Sequence, residues 1–222
     1  MMALGYDVYQ LLNTKCLSRR TLNRLRQWDG FQGARYEMAV AAMFCRLQWR
    51  LDYPRKNQQG RRPEFVATHG PTGPRIAVEA KSRHRSGVLH QPVTASAVKA
   101  TTKEAGDLLE QALEQLPPDL PAAVFIDLNA PPGDPGDFDV SWWVDMAAMM
   151  KRFGEPTPHQ PDCFNAVFVT NYSYHYYTVQ ESPRGQSMFV ASTYPRHSFP
   201  AELMTDIVRA VGNYGVLPDE RF

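Results

Sequence analysis

The stretch Ile76-Ala77-Val78-Glu79-Ala80-Lys81 combines four apolar residues with one carboxylate and one ammonium group. A short apolar run of this kind is typical of a buried strand. Because side chains alternate across a strand, Glu79 and Lys81 share one face with Ala77, and the other three residues face the core. Each buried charge costs several kcal/mol unless it is paired or binds a metal. The stretch therefore predicts a core strand whose second face carries chemistry or an ion pair.

A second predicted strand, Arg62–Thr68, lies just upstream. The connection between the two strands, His69–Pro74, is rich in Gly and Pro, which favours a hairpin. If the two strands pair, Glu64 of the first strand and the charged pair of the second converge at one end of a sheet.

A helix is predicted before these strands, over about Ala34–Trp49, because apolar residues recur there at spacings of three and four. Asp29–Gly33 is expected to break the helical pattern before it. Glu37 neighbours the apolar stripe, so it either faces the predicted strands or lies at the surface and pairs with a nearby cation such as Arg35.

The elements after the hairpin are a helix and a buried strand. The helix is predicted from about Ala95 to Leu116, where Pro117-Pro118 ends it. Pro121–Leu128 is almost continuously apolar, as expected for a strand at the centre of a sheet covered on both faces. With a short strand at Leu51–Pro54, the element order is αβββαβ.

Taken in order, Glu37 on the helix, Glu64 after Pro63, and Glu79-Ala80-Lys81 resemble the PD-(D/E)XK nuclease superfamily. The family has an acid on one strand, acid-x-Lys on the next, and often a Glu on the preceding helix. Glu64 departs from the commoner Asp at the first position. The resemblance covers residues 32–129.

The resemblance implies an α/β (α+β) fold with a restriction-endonuclease-like αβββαβ core, in which helices flank a central mixed sheet. We expect one domain over residues 1–222. It would consist of an N-terminal helical extension (1–31), the nuclease-like core (32–129), and a C-terminal elaboration (130–222) whose strands and helices complete the sheet. Strands are predicted there at Phe164–Thr170 and Ser187–Ser192, and a last helix at Pro200–Val211.

The resemblance also implies a metal-dependent nuclease that hydrolyses phosphodiester bonds, with a DNA endonuclease of restriction, repair or defence type as the main expectation. Glu64 and Glu79 would hold Mg²⁺, or Mn²⁺ in its place, and the carbonyl of Ala80 would add a third ligand. Lys81 would orient or deprotonate the attacking water. Glu37 would support the site, which makes it the fourth catalytic candidate.

Charge is divided unevenly along the chain. Residues 1–103 hold 18 Lys and Arg against 6 Asp and Glu, whereas residues 104–222 hold 6 against 17. This asymmetry indicates a nucleic-acid partner for the first half, since Lys and Arg that neutralise phosphates drive such binding; alternatively, the two halves attract each other. The candidate nucleic-acid contacts are Arg61, Arg62, Arg83, Arg85, Lys99 and Lys103.

The N-terminal extension contains a basic helix. Its predicted range is Thr21–Trp28, with Ser18 as the N-cap, after a shorter helix at Tyr6–Asn13. The outward-facing cations could bind phosphates or simply be solvated. They are Arg19, Arg20, Arg24 and Arg26.

Two other readings of the charged residues remain open. Lys81 could form a purely structural salt bridge with Glu64 or Glu79, in a catalytically silent module of the same fold that binds nucleic acid or protein. A carboxylate pair could also serve a glycoside hydrolase, although this leaves Lys81 and the cationic loops unexplained. A homodimer is compatible with either reading.

Composition excludes several classes. No window approaches the ~18 consecutive apolar residues of a membrane span, and the N-terminus lacks the pattern of a secretory leader. We therefore expect a cytoplasmic protein without a membrane partner. Three widely spaced cysteines suggest neither a disulfide framework nor a metal site.

Overall fold

The computed structural model describes residues 2–54, 60–84, 101–130, 146–148, 150–151, 155–172 and 186–215. The helices of this part include α1 (Met2–Asn13), α2 (Arg19–Arg24), α3 (Trp28–Arg46), α4 (Thr101–Gln115) and α5 (Ala201–Gly212). The strands are β1 (Trp49–Asp52), β2 (Phe65–His69), β3 (Arg75–Ser82), β4 (Ala122–Asp127), β5 (Ala166–Asn171) and β6 (Gln186–Ala191).

The six strands form one mixed sheet in the order β1-β2-β3-β4-β5-β6. The first three pair antiparallel, β3, β4 and β5 run parallel, and β6 returns antiparallel to β5. The crossover from β3 to β4 includes α4, as a parallel pair requires. A mixed sheet flanked by helices is thus confirmed, and the prediction that the C-terminal part completes the sheet holds for β5 and β6.

The two faces of the sheet are covered by different helices. On one face, Ile76, Val78 and Ala80 of β3 pack in a core with residues of α3 and α5. On the other face, Ala77 packs with α4, including its Leu109. The alternation predicted for β3 is therefore confirmed. Strand β4 is buried along its whole length, as its continuous apolar sequence predicts.

The prediction that Asp29–Gly33 interrupts a helix is wrong, because α3 begins at Trp28 and runs through this stretch. Its glycines serve close packing instead. A Cβ added at Gly30 would lie 3.1 Å from the carbonyl oxygen of Arg24, and one at Gly33 would lie 3.1 Å from the Nη2 of Arg24. Here tertiary packing against α2 outweighs the low helix propensity of glycine.

Several predicted boundaries shift by a few residues. Helix α3 ends at Arg46, so Trp49 starts β1 rather than closing the helix. Helix α2 ends at Arg24, but its predicted N-cap is present, since the backbone N–H of Thr21 donates to the side chain of Ser18. Strand β2 begins at Phe65 instead of Arg62.

The connection between β2 and β3 is the tight turn that its sequence predicts. The amide of Gly73 donates to the carbonyl of His69 at 3.1 Å, and the amide of His69 donates to the carbonyl of Pro74 at 3.0 Å. Gly70 has a φ of +64°, a left-handed conformation that suits glycine. The hairpin fixes the register of the two strands that carry the candidate site.

Some predictions fall outside the described residues. The helix predicted from Ala95 is described from Thr101 onward, and of the C-terminal half only parts are described. None of the helices in the described ranges is both long and apolar enough to cross a membrane.

Candidate active site

The strand register brings two of the predicted acids together. Phe65 lies opposite Val78 in the β2–β3 pair, so the next position along places Glu64 opposite Glu79. The backbone N–H of Glu64 donates to Oε2 of Glu79 at 2.8 Å. Glu64 thus stands immediately before β2 and contacts the middle of β3, as the hairpin predicts.

Lys81 completes the group from the same face of β3. Its Nζ lies 2.7 Å from Oε1 of Glu79, and it also donates to Oε1 of Gln115 on α4 at 3.3 Å. The side chain of Glu79 is only 2% exposed, whereas that of Lys81 is 23% exposed. The carboxylate is thus fixed by donors on two sides, while the amine reaches toward solvent.

Glu37 approaches from α3, where it is buried rather than at the surface. Its partner is Arg24 of α2, whose Nη1 lies 2.6 Å from both carboxylate oxygens. The expected alternative partner, Arg35, belongs to a different buried group near Asp7 and Asp127. The sequence did not indicate that α2 would supply this cation.

Apart from Glu79, which is buried, these residues line a cleft of about 730 Å³, which we call the carboxylate cleft. The acids Glu37 and Glu64 face it together with Lys81. A volume of this size is ordinary for a ligand site. Its full lining is Arg20, Arg24, Gly33, Glu37, Gly60, Arg61, Arg62, Pro63, Glu64, Ala80, Lys81, Ser82, Glu114 and Gln115.

The carboxylates disturb one another. Burial, followed by the negative charges of Glu37 and Glu79, raises the pKa of Glu64 to about 8. Burial also raises the pKa of Glu79, although the charge and hydrogen bond of Lys81 oppose the rise. Acids that are crowded and buried in an accessible cleft are frequent at functional sites.

The predicted nucleic-acid contacts divide into groups. Arg61 and Arg62 are exposed and line the carboxylate cleft. One nitrogen of Arg61, Nη1, donates to the carbonyl of Leu116 at 3.4 Å, just past the end of α4. These two positions agree with a cationic rim beside the acids.

Arg83 does not join this rim. It is only 9% exposed, its Nε pairs with Glu104 of α4, and its Nη1 donates to the carbonyl of Asn129 at 3.4 Å. Its guanidinium thus connects β3 to its neighbours inside the fold. Arg85 and Lys99 lie outside the described residues, and the side chain of Lys103 is likewise outside them.

Arg20 and Arg24 were predicted only as cations that bind phosphates or are solvated, and Gln115 was not predicted as a site residue. Arg20 and Arg24 lie four apart on α2, so their shared face was visible in the sequence but not its direction. No sequence pattern marks Gln115 as a site residue, because a single glutamine near a helix end is common at protein surfaces.

The donor set suits a hard divalent cation. Among the residues that the structure describes, no group of three or more His, Cys, Asp and Glu side chains is arranged to hold a metal ion. Mg²⁺, however, is usually bound through one or two carboxylates, with waters and substrate phosphates completing its shell. Glu64 and Glu79 provide such a pair. Glu64 and Ala80 line the carboxylate cleft, and the buried Glu79 adjoins it through its contacts with Glu64 and Lys81.

Comparison of the chain with protein-family models, with curated proteins and with solved structures gave no match.

Proposed function

We propose that this chain is a Mg²⁺-dependent nuclease with a restriction-endonuclease-like core, which hydrolyses phosphodiester bonds in DNA. The observation that carries the proposal is the meeting of Glu64, Glu79 and Lys81 at one end of the β2–β3 hairpin, where Glu64 and Lys81 line a cleft together with four arginines. A salt bridge with only a structural role would not need such a cleft around it.

The order of the elements supports the same proposal. Helix α3, strands β1 to β3, helix α4 and strand β4 follow each other as αβββαβ. The acid-x-Lys residues lie on the third of these strands, where the PD-(D/E)XK resemblance expects them.

Each group has a role in this chemistry. Glu64 and Glu79, with the carbonyl of Ala80, would hold the Mg²⁺. When bound, the ion would polarise the phosphoryl oxygen and stabilise the leaving oxyanion. Lys81, fixed between Glu79 and Gln115, would orient the attacking water and help remove its proton. Glu37, held by Arg24, would keep negative charge beside the ligands.

The experiment is a plasmid-cleavage assay in Mg²⁺ and in Mn²⁺ with wild type, Glu79→Gln and Glu110→Gln. Glu110 lies exposed on α4 and does not line the cleft, so it controls for loss of one carboxylate. We expect wild type and Glu110→Gln to nick or linearise the plasmid and Glu79→Gln to leave it supercoiled. Equal cleavage by Glu79→Gln and wild type would reject the proposal.

A second candidate is a catalytically silent module of the same fold that binds nucleic acid. It is favoured by the direct bond between Lys81 and Glu79, which already satisfies both charges in the absence of an ion. Calorimetry separates the two: Mg²⁺ or Mn²⁺ binding that is lost in Glu64→Ala indicates the nuclease. The silent module would show no metal binding, and its function would tolerate Glu64→Ala.

A further inference from the structure

Helix α2 presents its basic face to the carboxylate cleft. Arg20 and Arg24, one helical turn apart, both line it, whereas Arg19 of the same helix does not. The other two arginines of the cleft, Arg61 and Arg62, precede β2, and Arg61 is bonded near the end of α4. The cleft is therefore lined by one cationic pair on α2 and by another just before β2.

The position of Arg24 is built into the packing of α2 on α3. Gly30 and Gly33, three residues apart on α3, leave room for the backbone and the guanidinium of Arg24. A side chain at Gly33 would stand 3.1 Å from Nη2. Glu37, four residues further along the same face, holds Nη1. The position of the guanidinium thus depends on the lack of a side chain at Gly30 and Gly33 and on the ion pair with Glu37.

We propose that α2 provides a phosphate-binding subsite of the carboxylate cleft, in which Arg24, with Arg20 beside it, binds the backbone of a DNA strand next to the bond that is cleaved. The proposal rests on the proposed function, because it takes DNA as the substrate. It makes the N-terminal helices part of the substrate site rather than an appendage to the core.

The chemistry of arginine supports this role. A guanidinium carries five N–H donors in a planar fork that matches the oxygens of a phosphate. Glu37 engages Nη1, and the side chain of Arg24 remains 30% exposed toward the cleft. The same group can therefore bind Glu37 and a phosphate oxygen at once. Arg20, which lies near enough to lower the pKa of Glu64, adds a second positive charge.

The test measures binding of a fluorescein-labelled 20-nucleotide DNA strand and of its duplex, in EDTA, over a series of salt concentrations. Arg24→Gln and Arg20→Gln should each weaken binding by about tenfold and reduce the slope against log salt by about one. Arg19→Gln, on the same helix but outside the cleft, should stay within about twofold of wild type.

Two further variants guard against a folding artefact. Arg24→Gln leaves a buried Glu37 without its cation, which could destabilise the fold. The double variant Arg24→Gln/Glu37→Gln removes both charges and avoids this problem. It should bind DNA as weakly as the single variant. Gly33→Ala requires Nη2 of Arg24 to move by only a few tenths of an ångström, so it should weaken binding less than Arg24→Gln does. Melting temperatures verify that each variant is folded.

The outcomes separate this proposal from the one on which it rests. If Arg24→Gln and Arg19→Gln lose affinity equally, only general charge matters and the subsite is overturned, even when wild type cleaves DNA. Binding that depends on Arg24 in a protein that never cleaves DNA supports the subsite and rejects the hydrolysis. Wild type that does not bind DNA in EDTA overturns the subsite.

Discussion

Two groups of buried acids lie near the same end of the sheet, and they are held in opposite ways. In the carboxylate cleft, Glu64 lies close to two other carboxylates at an open surface. Asp127, at the end of β4, is enclosed by donors: Ser82 Oγ and Thr170 Oγ1 lie 3.2 Å from its oxygens, and the N–H of Tyr172 lies 3.0 Å away. One acid is crowded by like charge, and the other is fully provided with hydrogen bonds.

This difference shows why a displaced pKa alone does not mark a site. Burial raises the pKa of Asp127 to about 6, and hydrogen bonds from Tyr172, Ser82 and Thr170 limit the rise. Burial raises the pKa of Glu64 to about 8, and its carboxylate neighbours add to the rise. The first arrangement stabilises the fold; the second stores a charge repulsion that a cation would relieve.

A third acid confirms the distinction. Asp7 of α1 is buried, accepts a hydrogen bond from Tyr214 Oη at 2.5 Å, and lies 3.5 Å from Arg46. Burial raises its pKa to about 6, whereas Tyr214 and Arg46 lower it. Like Asp127, it ties elements together, here α1, α3 and the residues after α5, and it does not line the carboxylate cleft.

The largest expected effect separates chemistry from binding in the cleft. Lys81→Met should reduce cleavage by a factor on the order of 10²–10⁴, the usual contribution of a group that moves a proton in the transition state. DNA affinity should stay within about threefold, because most of the phosphate attraction comes from the arginines. Single-turnover cleavage and fluorescence anisotropy measure the two quantities.

Lys15→Met is the matched control, because Lys15 is exposed after α1 and lies outside the cleft. It should cleave like wild type. If Lys81→Met cleaves at the wild-type rate, Lys81 has no role in the reaction. The charged residues of the cleft would then have a structural role, like those around Asp127.

The sequence predicted the contents of the cleft better than its surroundings. Alternation along β3 and a Gly/Pro turn are local properties, and they sufficed to place Glu64 opposite Glu79 and Lys81 beside it. The partners of these residues come from distant segments. Arg24 reaches Glu37 only because α2 packs on Gly30 and Gly33, which local propensity marked as a helix break.

The structural acids were harder still to predict. Asp127 lies within the apolar run Pro121–Leu128, and the sequence does not indicate its partners Ser82 and Thr170, which lie on the two neighbouring strands. Arg83 alternates on the same side of the chain as Glu79 and Lys81, but Glu104 of the crossover and the carbonyl of Asn129, just after β4, bind its guanidinium. Pairings between segments far apart in the chain decide such cases, and no local pattern contains them.

The next effect, on stability, tests the group around Asp127. Asp127→Ala should lower the free energy of unfolding by about 3 kcal/mol, since buried donors from Ser82, Thr170 and Tyr172 lose their acceptor. Asp127→Asn keeps one carbonyl oxygen for two of them and should cost about 1 kcal/mol or less. Urea unfolding at pH 7 measures both.

Both Asp127 variants should retain metal-dependent cleavage below their melting temperatures, because Asp127 does not line the carboxylate cleft. If Asp127→Asn folds with wild-type stability but has lost cleavage, Asp127 belongs to the site, and the division between the two groups of acids fails.

The smallest effect concerns Glu64 and is visible only as a function of pH. Its pKa in the fold, about 8, exceeds the ordinary value of 4.5, so folding favours the protonated form. This contribution to stability is complete below pH 4.5 and is lost as pH rises through 8. In EDTA, wild type should therefore lose stability between pH 6 and pH 8, after Asp7 and Asp127 have ionised at lower pH.

Glu64→Gln cannot ionise, so it lacks the fall that Glu64 contributes from pH 4.5 to pH 8. It should show a shallower fall up to about pH 6, due to Asp7 and Asp127, and little fall above it. At pH 8 in EDTA it should be more stable than wild type by about 2 kcal/mol. This value is smaller than the full pKa shift of Glu64 implies, because solvent screens a partly exposed side chain. Mg²⁺ at ten times its dissociation constant should return about 1.4 kcal/mol to wild type alone. Urea unfolding at four pH values, with and without Mg²⁺, measures this difference. If the free energy of unfolding of wild type and variant depends on pH in the same way, the pKa of Glu64 is not raised by folding. The acids of the cleft would then differ from Asp127 only in their accessibility.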